Sequence, residues 1–136
     1  MRSQTVDPAS HEVWLAVCME GAHSGPKVSR AEWSMQTTIQ RTVGASGVGL
    51  HTACRVSVQL RPAPEDTGIV FRRTDLHGFA IEASRKHVSR VALATTLIKQ
   101  GVMLSTVEHL LSGVCGSRID NLYLDVDSLE LPIMDG

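Results

Sequence analysis

The 136-residue chain is poor in the features that mark several common classes of protein. Its three cysteines, Cys18, Cys54 and Cys115, are an odd number with no Cys-x-x-Cys spacing. That pattern weighs against a disulfide framework and suits reduced thiols in a cytoplasmic setting. Aromatic residues make up only 4% and the net charge is −1. Neither the stacking surface nor the basic field of a nucleic-acid-binding protein is therefore present. No apolar run approaches the length of a transmembrane helix, and Val13 to Val17 is too short for a secretory core with only Arg2 ahead of it. The motif His-x-x-x-His is missing, and none of the six histidines has an acid four residues on, so no complete zinc-ligand set shows in the spacing. Asp120, Asp125 and Asp127 lack the Asp-x-Asp-x-Asp-Gly loop of a calcium site and read instead as the polar face and ends of a strand. The glycines of Gly44–Gly49 follow neither dinucleotide-loop nor phosphate-loop order. They read as a turn between strands, with His51 either a loop histidine satisfied by backbone, the default, or a ligand contact.

What is there describes one ordinary domain. Apolar residues make up 43% and charged residues 20%, enough for a real though not a large core. Residues 1–34, broken by Pro8, Gly21, Gly25 and Pro26, show no sustained periodicity. They read as an N-terminal extension, with Met35 the natural start and 35–136 the domain. Val56, Val58 and Leu60 alternate with polar neighbours as a half-buried strand. A turn over Arg61–Gly68 and a returning strand at Ile69–Arg73 suggest a hairpin. Further extended segments fall at Phe79–Ala83, Ala94–Ile98, Val102–Leu104 and Leu122–Val126. Arg85–Leu93 is ambiguous between helix and loop, and the basic pairs Arg72-Arg73 and Arg85-Lys86 read as solvated faces. Many strands and few helices predict an α+β domain, a mainly antiparallel sheet with helices on one face.

One stretch carries chemistry. Val107, Leu110, Leu111 and Val114 repeat at i, i+3, i+4 and i+7, one apolar face of a helix. Ser105 with Glu108 three residues on is a capping-box signature, and Gly116 is placed to stop the helix. His109 then projects roughly opposite the apolar stripe, with Glu108 at its edge. An imidazole can hold zinc, and a neighbouring carboxylate can take a proton from water bound to the metal. On spacing alone, the competing reading makes Glu108 a cap and His109 a surface residue.

Ser105-Thr-Val-Glu-His-Leu, Ile119-Asp-Asn and Leu131-Pro-Ile-Met-Asp-Gly136 resemble the UDP-3-O-acyl-N-acetylglucosamine deacetylases, zinc amidases of lipid A biosynthesis. Thr42-Val, Gly47-Val-Gly-Leu-His-Thr52, Leu60-Arg-Pro-Ala-Pro64 and Thr67-Gly-Ile-Val-Phe-Arg-Arg-Thr-Asp-Leu76 extend the resemblance in order from Met35 to Gly136. The resemblance implies two similar α+β domains with the active site between them. It implies His109 as a Zn2+ ligand and Glu108 as the catalytic general base. It further implies that a C-terminal domain supplies the other zinc ligands, a His and an Asp four residues later, and a catalytic acid His. The substrate so implied is UDP-3-O-acyl-N-acetylglucosamine. The expected reading is a fragment, inactive alone, of that deacetylase; the alternative is a non-catalytic remnant or small binding module. A helix expected after Met134-Asp-Gly136 lies beyond the chain, so the sheet face of Leu122, Leu124 and Val126 is expected to be partly open. Ala53 stands where the family tends to have Gly, and Arg118 just before Ile119-Asp-Asn is a second departure.

Overall fold

A computed structural model describes residues 35–91 and 93–133. The proposed extension 1–34, with Cys18, and the closing Met134-Asp-Gly136 lie outside the described residues. In chain order come β1 (Val43–Gly49), β2 (Arg55–Pro62), β3 (Ile69–Arg73), β4 (Phe79–Glu82), β5 (Val88–Val91), β6 (Ala94–Lys99) and β7 (Val102–Leu104). Helix α1 (Glu108–Gly116), β8 (Leu122–Val126) and β9 (Pro132–Ile133) follow. Six strands form one sheet in the order β4-β3-β8-β2-β1-β9, and β5-β6-β7 form a second. Every pairing is antiparallel except β3 with β8. The domain is α+β, with the mainly antiparallel sheet expected from the strand-rich pattern.

Period-two alternation sets the faces of the large sheet. Val56 and Val58 are buried while Arg55, Ser57 and Gln59 are exposed, and Leu122, Leu124 and Val126 are fully buried. On the opposite face Asp125 accepts hydrogen bonds from Arg72 Nε at 2.5 Å and Arg61 Nη1 at 3.3 Å. Arg72 also lies 4.5 Å from the centroid of the Tyr123 ring. The three aspartates are thus polar face and strand ends, as expected: Asp120 accepts from the Thr37 N–H and Asp127 from the Ser57 N–H.

The inner face is closed. Leu122, Leu124 and Val126 share one core with Leu97 and Leu104 of the small sheet and Leu111 and Val114 of α1. The expectation of a partly open face is therefore corrected: helix and small sheet together cover it. The hairpin expected between β2 and β3 is also absent, because β8 sits between them. The Asn121 side chain holds the wedge in place. Its Oδ1 accepts the Gly68 N–H at 2.8 Å, and the Leu122 N–H returns to the Gly68 carbonyl at 2.9 Å. Arg85–Leu93 opens with a 3₁₀ turn at Arg85–His87 and continues as β5. Arg73, expected to be solvated, is buried on the inner face. Its guanidinium forks onto Asp75 at 2.8 and 2.6 Å and donates to the Met103 carbonyl, tying β3 to β7.

Both departures from the family pattern have left-handed backbones. Ala53 (φ 53°) closes the β1–β2 turn, its N–H bonding the Gly49 carbonyl at 2.9 Å. Arg118 (φ 53°) ends α1. There the Ile119 N–H reaches the Val114 carbonyl at 3.1 Å and the Arg118 N–H the Cys115 carbonyl at 3.0 Å, the paired bonds of a Schellman stop. Gly116 is the last helical residue, so the stop falls two residues beyond the expected one. A Cβ is strained in this region and glycine is not. Ala53→Gly and Arg118→Gly are each expected to stabilise the domain by about 0.5–1 kcal/mol, the strain relief exceeding the added freedom of the unfolded chain. Urea melts check this, and a loss of stability in both variants refutes it.

Candidate functional site

Helix α1 is anchored by its buried Leu111 and Val114 and begins at Glu108. The capping box is not formed: Val107 is the N-cap residue and no side chain caps the helix. Ser105 instead pairs its hydroxyl with Thr96 Oγ1 at 3.0 Å. Glu108 finds its partner across space, its Oε2 accepting the Thr95 N–H at 3.0 Å. The Val107 N–H reaches the Thr95 carbonyl at 3.3 Å. One residue of β6 therefore satisfies both the carboxylate and a backbone donor at the helix start, work that sequence proximity had assigned to Ser105. Only Oε2 of Glu108 is engaged among the described residues.

His109 is exposed, and no hydrogen bond or ion pair holds its ring among the described residues. Glu108 and His109 are consecutive at one end of the helix, off its buried face, as periodicity predicted. Among the described residues no group of three or more His, Cys, Asp or Glu side chains converges on a common point. Glu108 and His109 are thus not part of a closed ligand set among the described residues. Cys54 and Cys115 are both exposed. Among the described residues no helix is long and apolar enough to cross a membrane.

Sequence reasoning passed over Glu130. It is fully buried, and its carboxylate accepts four donors. The His51 N–H (3.0 Å), His51 Nδ1 (2.8 Å) and Thr106 Oγ1 (3.0 Å) meet Oε1, and the Thr52 N–H meets Oε2 at 3.0 Å. Burial pushes the carboxyl up, but the His51 and Thr52 donors outweigh it and bring Glu130 down to about 2. An ionised carboxylate can only accept, so His51 Nδ1 carries a proton. Gly44–Gly49, expected as a turn, is instead part of strand β1; the turn that follows it binds an anion, and the anion is the protein's own side chain. Gly49 makes the approach possible: a Cβ there would meet Glu130 Oε2 and Thr52 Oγ1, each at 2.5 Å. The one signal available in the sequence was an acid between two leucines, Leu129 and Leu131, where a charge has no apolar reason to be.

The fold and the site define a class: an α+β domain presenting a carboxylate and an imidazole side by side at a helix start. Residues 36–136 match the family model of LpxC, UDP-3-O-acyl N-acetylglycosamine deacetylase, and the chain belongs to that family. It is similar to UDP-3-O-acyl-N-acetylglucosamine deacetylases of Solibacter usitatus (56% identical over 101 residues), Thioalkalivibrio sulfidiphilus (55% over 102) and Colwellia psychrerythraea (55% over 103). Each match covers 74% of this chain and 34% of the relative, so the chain spans about a third of the length of these curated relatives.

Proposed function

We propose that residues 35–136 form the part of a UDP-3-O-acyl-N-acetylglucosamine deacetylase that contributes the general base and one zinc ligand. The observation that carries the reading is the Glu108–His109 pair, a half-buried carboxylate beside an exposed imidazole at the start of α1, in a chain that matches the deacetylase family across the whole domain. His109 would hold zinc from this part, and the remaining donors would come from the part of the family's length outside this chain. Zinc, when bound, acidifies a water and polarises the acetamide carbonyl. Glu108 would be the base that takes a proton from the attacking water, at the carboxylate oxygen that Thr95 leaves free. Thr95 fixes the carboxylate against rotation, so the base is oriented before substrate arrives. Hydrolysis then releases acetate and leaves the free amine on the sugar nucleotide. Residues 1–34 are an extension to this domain, and the setting is the cytoplasm.

The chain alone is expected to bind zinc weakly, because a single donor does little to offset dehydration of the ion. Isothermal titration at neutral pH measures it. A one-to-one site of nanomolar affinity that disappears in His109→Ala would mean that this chain closes the site by itself, and the shared-site reading would fail. The deacetylase activity itself is tested by supplying the rest of the family's length, fused or in trans, and assaying acetate release. No release from a folded, zinc-loaded assembly favours a non-catalytic remnant.

A further inference from the structure

We propose that Glu130 is a positioning residue: its buried carboxylate, clamped by the His51–Thr52 turn, sets the start of helix α1 through Thr106. The proposal rests on the reading of Glu108 and His109 as the reacting pair.

Three separate segments meet at this carboxylate. The β1–β2 turn supplies the His51 and Thr52 donors, the segment before β9 supplies Glu130, and the entry to α1 supplies Thr106. Backbone bonds seal the last two together. The Ser105 N–H reaches the Leu129 carbonyl at 2.8 Å, and the Leu131 N–H reaches the Ser105 carbonyl at 3.0 Å. Thr106 stands two residues ahead of Glu108 and has φ 62°. A β-branched residue in the left-handed region is a true outlier and persists only where its surroundings overdetermine it. Here the overdetermination is visible: Thr106 is 3% exposed, and its hydroxyl donates to a group that can only accept. The direction in which the chain leaves Thr106 fixes Val107 and Glu108, and with them the contact to Thr95. Gln at position 130 cannot substitute, because its NH₂ would face fixed N–H donors on one side or the other. Gly49 completes the argument, since any side chain there would expel the carboxylate.

A hydrogen-exchange and NMR comparison of the 136-residue chain with Glu130→Gln, Thr106→Val and Thr106→Ser tests this. Glu130→Gln and Thr106→Val are expected to speed exchange of the Thr95 amide by at least about tenfold more than that of the β8 amides, the mark of local opening. Both are also expected to shift the His109 ring resonances, and Thr106→Ser, which keeps the hydroxyl, to restore both readouts. A merely structural Glu130 speeds the Thr95 amide no more than the β8 amides, and that outcome overturns the proposal. So does an unchanged Thr95 amide in Thr106→Val. Should Glu130→Gln fail to fold, the Thr106 pair decides alone. None of these readouts involves zinc or turnover. Their failure would leave the roles of Glu108 and His109 standing, whereas a well-positioned pair without catalysis would sink only the functional reading.

Discussion

Glu108→Ala is expected to lower turnover of the assembled deacetylase by roughly 10²–10⁴-fold, the usual contribution of a general base, while zinc stays bound. His109→Ala is expected instead to lower zinc occupancy, because it removes a metal ligand. Alanine at 108 also strips the Thr95 N–H of its acceptor, so some of its effect is structural. Glu108→Gln separates the two roles. The amide oxygen still accepts from Thr95, so the melting temperature should hold while turnover falls. Steady-state acetate release, metal analysis and thermal melts of the same samples give the three readings. Full turnover per bound zinc in Glu108→Gln would show that the carboxylate is only a tether for β6. Ser105→Ala is no test of a capping role for Glu108, since Ser105 bonds Thr96 and does not cap the helix.

The second large effect is on stability. Glu130 falls from 4.5 to about 2 in the folded chain, so the native state holds the ionised form more tightly than the unfolded state does. Its contribution is complete above pH 4.5, declines as pH falls from there, and is gone below about pH 2. For so buried a carboxylate this amounts to on the order of 3 kcal/mol. Asp75, lowered first of all by its hydrogen bond from Arg73, and Glu82, lowered first by that from Lys99, act in the same direction. The wild-type acid dependence is therefore a sum. Urea melts of wild type and Glu130→Gln at pH 7, 4.5 and 3 isolate the Glu130 share. The variant should be less stable at pH 7, and the gap should narrow toward pH 3. Parallel curves would mean that the carboxylate is not a net stabiliser.

These two residues differ in how they could be seen. Glu108 and His109 lay within a helical repeat, where apolar spacing reports which side chains leave the core. Their direction could therefore be read before any tertiary structure was known. Glu130 lies 79 residues from His51 and 24 from Thr106, and no local pattern encodes a contact over such distances. The capping box failed for a related reason. It assumes that the nearest acceptor in sequence takes the helix's donors, and here a strand packed alongside supplied Thr95 instead.

The sequence by itself determined the α+β class, most of the strands, the apolar face of α1 and the residues that match the deacetylase family. These rest on periodicity and on short ordered motifs, which are local properties of a chain. Only the tertiary structure decided that β8 separates β2 from β3, that helix and small sheet close the core over Leu122, Leu124 and Val126, and that Arg73 is buried. It alone also brought the His51–Thr52 turn, a buried carboxylate and a strained threonine together behind the Glu108–His109 pair. Pairing order and buried charge depend on which distant segments meet, and the free energy that selects them belongs to the whole fold.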